Sequence, residues 1–481
     1  MSYLKDKGFI LKAVTLFFCV TWFGVIHHIN QVPVDVGDGL MHFNISQASW
    51  SDPINFLHHW GKPLFILLSS TFSQFGYDGI IVFNIIVFAL TVLVAWKILN
   101  KLSVPIVFQC VFPLILINVY EYSSTVVAGL TEPLFSLFIM IAIWFILTKK
   151  WMWFALIVSF IPFLRSEGQL AVVLALFLLI GLRQFKYIPF LFVGFVIYGI
   201  IGFFALGDFM WYFTMSPYHM GNGVYGSGPW NSYLISYKMY LGNVGLIIFI
   251  LAFLQLTAFL RAKKWGELQF PLLFFTYGIF FGVLISHSYF WATGSNGSLG
   301  LNRIATQGMP SFVLINIYYI TKIPFISFWS NILKVGVIAL SISLVMKAVK
   351  TEYYPVWVNP LDTEVMNAVE YLRPELNKNH HFFFHHPLFV FKMGGNPLLK
   401  NQPFVFYYCG GLKNDVQQMI KPGDYIIRDS HFGPVEQKLY LSEFDSVPEM
   451  VKIKTFVSEL QEEDKNNEVE GVMIYQYRPK K

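Results

Sequence analysis

Long apolar runs dominate the first 350 residues, each closed by a short polar stretch. A helix that crosses a bilayer needs roughly 20 mostly apolar residues, and fewer when it is packed inside a bundle. On that measure spans are expected at 11–30, 78–98, 104–120, 125–148, 151–164, 168–182, 187–206, 240–260, 268–289, 307–321 and 325–346, eleven in all. Pro63–Phe75 is apolar but too short to span. It reads as an interfacial or re-entrant helix that opens on a proline.

Past residue 351 the pattern changes. Charges become frequent and short strand-like runs appear at Phe382–Phe384, Phe404–Tyr408, Tyr425–Arg428 and Val472–Tyr477, with helical periodicity at 362–373 and 412–420. Pro422-Gly423-Asp424 marks a turn before a strand. The expected organisation is a transmembrane domain over 1–350, with a first outer loop at 31–77, followed by a small α/β domain over 351–481.

Basic residues give the helices a direction. With Lys5, Lys7 and Lys12 in the cytoplasm, alternate loops carry Lys97 and Lys101, Lys149 and Lys150, Arg183 and Lys186, Arg261 with Lys263 and Lys264, and Lys322. That alternation follows the positive-inside rule and puts loop 31–77 and the tail together on the opposite side. Lys62, Arg165, Lys238 and Arg303 are then left on the side that topology does not explain. Charge at membrane depth is costly, so these four are candidates for binding an anion.

Composition agrees with a polytopic membrane protein: 55% of the 481 residues are hydrophobic and 13% charged, against about 25% charged in soluble domains. The net charge of +6 sits beside apolar segments, so no nucleic-acid partner is expected. Three scattered cysteines predict no disulfide framework and no zinc site. The N-terminal apolar run lacks a small-residue cleavage site and is expected to stay as the first helix.

The candidate chemistry begins just after that helix. Val34-Asp35-Val36-Gly37-Asp38-Gly39 sets two carboxylates among glycines, which permit a sharp turn or a close approach to a ligand. Either carboxylate suits a general base for an acceptor hydroxyl, and Asp38 is the better placed; the structural alternative is a helix cap. His42 lies four residues beyond Asp38, where it can share a helix face. With His58 and His59 it suits a phosphate or sugar, or a divalent metal, although no cofactor is expected. Glu121 belongs to the next outer loop, and Glu132 is an acid inside an apolar segment. Arg165 and Glu167, two residues apart, bind substrate or pair as structural ions. Arg303 offers a guanidinium fork suited to a phosphate ester. The segment 207–239, with Trp211, Tyr212, Tyr218, Tyr225, Trp230, Tyr233 and Tyr237 among glycines, reads as an interfacial belt, a mobile lid or a sugar-stacking surface.

An acidic motif in the first outer loop, Gly61-Lys62-Pro63-Leu64, Thr131-Glu132-Pro133-Leu134-Phe135, Phe163-Leu164-Arg165-Ser166-Glu167-Gly168 and Asn302-Arg303 before a Pro-containing span follow one another in order. Together they resemble the GT-C superfamily of membrane glycosyltransferases over roughly residues 10–345. The resemblance implies a polytopic α-helical protein of about eleven transmembrane helices with an extracytoplasmic α/β domain. It implies transfer of a hexosyl or pentosyl group from a polyprenyl-phosphate-sugar donor to a hydroxyl of a glycan, lipid or protein acceptor, by inverting displacement. Asp38 is the implied base, with Asp35 as its neighbour, and Arg303 and Arg165 hold the lipid phosphate. A bacterial inner membrane with a periplasmic active site is the expected location. The competing class is a transporter or lipid flippase with an outward polar site; against it stands the absence of internal repeats in the sequence.

Overall fold

The structure is a computed structural model that describes residues 2–30, 32–219, 226–261, 269–322, 358–457 and 471–479. It divides into two compact units. The first comprises Met1–Val34 and Ile54–Val356, the second Asp35–Pro53 and Trp357–Lys481. The acidic segment 35–53 groups with the tail.

The first unit is helical. Ten of the eleven expected spans fall on helices, and 325–346 lies outside the described residues, as do Lys263 and Lys264. Among the described residues four helices are long and apolar enough to cross a membrane: Gly8–Ile29, Tyr77–Lys101, Phe185–Leu206 and Gln269–Thr293. Ile106–Asn118 and Tyr120–Val127 make a fifth if the pair, bent by 78°, is one span. Phe9, Phe17, Phe204 and Ile285 stand out from helix surfaces, an arrangement that hydrocarbon favours and water does not. The chain is an integral membrane protein.

Two breaks in these helices shape the candidate site. At the bend, Val119 leaves the helical region with φ −84° and ψ 107°. The Ile117 carbonyl freed there takes the Ser123 hydroxyl at 2.9 Å, so the break leaves that acceptor satisfied. The expected span 125–148 is also interrupted: the helix ends at Val127 and a new one runs Glu132–Leu147. Gly129 lies between them at φ +70°, a conformation that side chains with a Cβ resist. Asn84 clamps the turn by donating to the Leu130 carbonyl at 2.9 Å. The short apolar helix expected at 63–75 is present as Pro63–Ser73, with Pro63 in its first turn.

In the second unit the tail forms a five-stranded sheet in the order β2-β1-β3-β5-β4. Its strands are β1 (Phe382–Phe384), β2 (Phe404–Phe406), β3 (Tyr425–Asp429), β4 (Met450–Val457) and β5 (Gly471–Tyr477). β1 pairs in parallel with β2 and β3, whereas β5 is antiparallel to β3 and β4. The four expected strands are all present. Edge strand β4 was not expected, because Lys452 and Lys454 interrupt its apolar positions; such lysines are a common protection of an open edge. Phe383, Leu412, Val416, Ile426, Phe444 and Tyr475 belong to the core of this domain.

Beyond the carboxyl end of β1, His385 and His386 are buried, and His386 lies 3.3 Å from Asp362. Burial holds both imidazoles down to about 4 and pushes the Asp362 carboxyl up to about 6. Between pH 6 and 4 the unfolded chain therefore carries two imidazole protons that the fold lacks, while the fold carries one carboxyl proton that the unfolded chain lacks. The unfolded state binds one proton more, so stability falls as the pH drops through this window, by about 1.4 kcal/mol per unit. Hydrogen exchange of β1 and β3, corrected for intrinsic rates, is expected to show falling protection from pH 6 to 4; flat or rising protection contradicts this assignment.

Candidate active site

The turn Arg165-Ser166-Glu167 joins two helical segments, Trp151–Phe163 and Gly168–Gly181. It is tight because Gly168 has no side chain: a Cβ there would lie 2.4 Å from the Ile161 carbonyl carbon. The turn directs Arg165 into the bundle. Its guanidinium sits 2.8 Å from Glu132 and 3.0 Å from Glu167, and donates to the Thr131 hydroxyl at 2.9 Å. Glu132 is the first residue of its helix and fully buried, where the positive end of the helix dipole also favours a carboxylate. Arg303 reaches the same carboxylate at 3.8 Å. His287 completes the group at 3.3 Å from Glu167. Burial alone would raise the Glu167 carboxyl, but Arg165 and the His287 contact outweigh it and hold the group well below its usual range.

Four sequence candidates from three separate motifs thus meet in one ionic cluster. Glu121 adjoins it, interacting electrostatically with Arg303 and Glu132. The cluster is not saturated. Among the described residues Glu132 Oε2, Arg165 Nε and the Ser166 hydroxyl are buried without a hydrogen-bond partner. Unmet buried groups cost free energy and need a reason in the fold or in a ligand. His287 was not a candidate from sequence, although an ionisable residue inside the apolar segment 268–289 was a legible signal for it.

Lys62 is organised by a second set of contacts in the same unit. Its ammonium bonds the Tyr218 hydroxyl and lies 4.4 Å from the centre of that ring. His59 stacks on Tyr212 at 5.0 Å and bonds its carbonyl at 2.9 Å. Burial and the nearby Lys62 charge lower both His58 and His59, the latter to about 4, so His59 is neutral near pH 7. The Tyr212 hydroxyl donates to the Pro162 carbonyl at 2.9 Å, three residues before Arg165. Segment 207–239 is therefore not an open belt throughout: Trp211, Tyr212 and Tyr233 are core residues, and Trp230 is exposed. Tyr225 lies outside the described residues. Lys238 is exposed and has no ion pair among the described residues.

Asp35, Asp38 and His42 belong to the second unit. The Asp35 carboxylate accepts the Gly37 amide at 3.1 Å and the Gly39 amide at 2.9 Å, the capping arrangement that was the structural alternative for this motif. Neither Gly37 nor Gly39 takes a positive φ. Asp38 is the first residue of the helix Asp38–Ala48, partly exposed, and His42 is buried one turn on. Among the described residues no three His, Cys, Asp or Glu side chains converge as a metal-ligand set.

No family model matches the chain, and no curated protein matches it. The fold is similar to that of ArnT from Cupriavidus metallidurans in the apo state, with a TM-score of 0.58, 9% identity and 98% of each chain covered. The chain has a GT-C fold. At 9% identity the likeness carries the architecture and not the residues. The chemistry of this chain therefore rests on its own side chains.

Proposed function

We propose that this protein is a membrane glycosyltransferase that moves a hexosyl or pentosyl group from a polyprenyl-phosphate sugar to an acceptor hydroxyl. The observation that carries the proposal is the buried, unsaturated cluster of Arg165, Arg303, Glu132 and Glu167 on a GT-C fold. Asp38 takes the proton of the acceptor hydroxyl. The hydroxyl oxygen bonds to the anomeric carbon as that carbon's bond to the phosphate oxygen breaks. The electron pair leaves on polyprenyl phosphate, and the configuration inverts. Cations fixed before the reaction are the efficient way to stabilise that developing charge.

The contacts divide the labour among the basic residues. Arg165 is engaged by two carboxylates and a hydroxyl, which suits it to building the site. Arg303, whose guanidinium fork matches a phosphate ester, and Lys62 are assigned to the phosphate. Glu132, Glu167, Glu121 and His42 are assigned to substrate binding. Asp35, one oxygen of which accepts two backbone amides, is the neighbour that would replace Asp38 as base. The acceptor is a glycan, lipid or protein; the membrane is a bacterial inner membrane, and the site faces the periplasm.

Polyprenyl phosphate, the leaving group, serves as the binding probe. Arg303→Ala is expected to weaken it by about 10–100-fold, the worth of a charge-assisted contact of roughly 1.5–3 kcal/mol. Arg303→Lys should restore part of the loss, because Lys lacks the fork. Unchanged affinity in Arg303→Ala removes that residue from the phosphate site.

A further inference from the structure

The helix that begins with Asp38 is held by the tail of the chain. Asn396, 1% exposed, donates its side-chain amide to the Asn44 carbonyl and to Gln47 Oε1, both at 2.9 Å. Both hydrogens of that amide are then used. Its own oxygen accepts the Leu398 amide at 3.0 Å, and its backbone N–H donates to Gln402 at 2.6 Å, so Asn396 is itself fixed. Phe391 meets Phe43 edge to face at 6.4 Å, adding an apolar contact along the same helix. Asp35 secures the first turn from the other end through Gly37 and Gly39. Only 11 residues long, the helix is buried at Leu40, His42, Phe43, Asn44, Ile45 and Ser46. An isolated helix of that length is marginal in water, so its position is set by what it packs against.

We infer that Asn396 is a positioning residue for the transfer reaction, acting through the helix Asp38–Ala48 on the carboxylate of Asp38. The inference rests on the proposed role of Asp38 as base. A carbonyl oxygen has two lone pairs, so Asn44 can satisfy its helix and still accept from Asn396. That bond and the one to Gln47 fix the rotation of the helix about its axis, which a purely apolar contact leaves softer. Rotation is the motion that swings a first-turn carboxylate away from its target. A shift of about 1 Å in a reacting group can cost on the order of 10²-fold in rate. The α/β tail thereby serves the catalytic step by holding the base.

The test is a double-variant cycle on the full-length protein in lipid vesicles, with turnover and polyprenyl phosphate affinity both measured. Asn396→Ala is expected to lower kcat by about 10- to 100-fold and to leave polyprenyl phosphate affinity unchanged. Asn396→Ala combined with Asp38→Asn is expected to be no slower than Asp38→Asn alone, because a misplaced base and an absent base are equivalent. Loss of folded protein would instead lower the rate by the same factor in both backgrounds and overturn the positioning role. Unchanged kcat in Asn396→Ala would also overturn it, provided Asp38→Asn is slow. If Asp38→Asn itself turns over normally, the base assignment has failed, and the inference fails with it. Asn396→Ser, which keeps one donor, should recover part of the rate.

Discussion

Asp38→Asn is expected to lower sugar-transfer turnover by about 10²–10⁴-fold while the protein still inserts, folds and binds polyprenyl phosphate. The substitution keeps the size of the side chain and its place at the start of the helix, and removes only the capacity to accept a proton. General-base assistance has that typical worth. Asp35→Asn is expected to act differently. Its carboxylate receives two backbone amides, and an amide oxygen can still accept them, so turnover should change little and thermal stability by about 1 kcal/mol or less. Asp35→Ala removes the cap altogether and should cost more of both, because the first turn then loosens. The comparison is read from initial rates and melting temperatures of the two Asn variants. Turnover lost in Asp35→Asn and kept in Asp38→Asn would move the base three residues upstream.

Glu132→Ala is expected to have the largest effect on the fold itself. Glu132 is fully buried and balances Arg165 at 2.8 Å and Arg303 at 3.8 Å. Removing one member of a buried ionic group leaves uncompensated charge, which typically costs about 3–5 kcal/mol. Domains are stable by only about 5–15 kcal/mol, so a large drop in melting temperature or in recoverable protein should follow. Glu132→Gln keeps the volume and one acceptor, and should lie between the wild type and the Ala variant. Thermal unfolding of the detergent-solubilised proteins checks the order. An Ala variant that melts with the wild type would show that the cluster bears no structural charge balance.

The parts of this molecule legible in the sequence were those whose signals are local. β1, β3 and β5 announce themselves as short aromatic and β-branched runs between turn residues, and Pro63 marks its helix in the same way. β4 escaped because Lys452 and Lys454 alternate with apolar residues along an edge, a pattern shared with a solvated loop. The break between Val127 and Glu132 lies in a continuous apolar stretch, where only Gly129 hints at a turn. Glu132, Arg165, Glu167 and Arg303 were each identifiable as costly charges near the membrane, but their meeting depends on packing between helices far apart in sequence. His287 joined them without having been a candidate, although an ionisable residue in an apolar segment was its one legible signal. The grouping of 35–53 with the tail was the least legible feature. It rests on contacts such as Asn396 with Asn44, 352 residues apart, which no local pattern encodes.

The central claim is that the chain breaks the bond between sugar and polyprenyl phosphate and does not merely carry the lipid. The most direct test uses purified protein in vesicles containing polyprenyl-phosphate pentose or hexose labelled in the sugar, with a membrane extract as acceptor. The expected result is transfer of label to a second molecule, matched by an equal amount of free polyprenyl phosphate, in the wild type but not in Asp38→Asn. Label that crosses the bilayer still attached to polyprenyl phosphate, with no free polyprenyl phosphate formed, would contradict the account and point to a flippase.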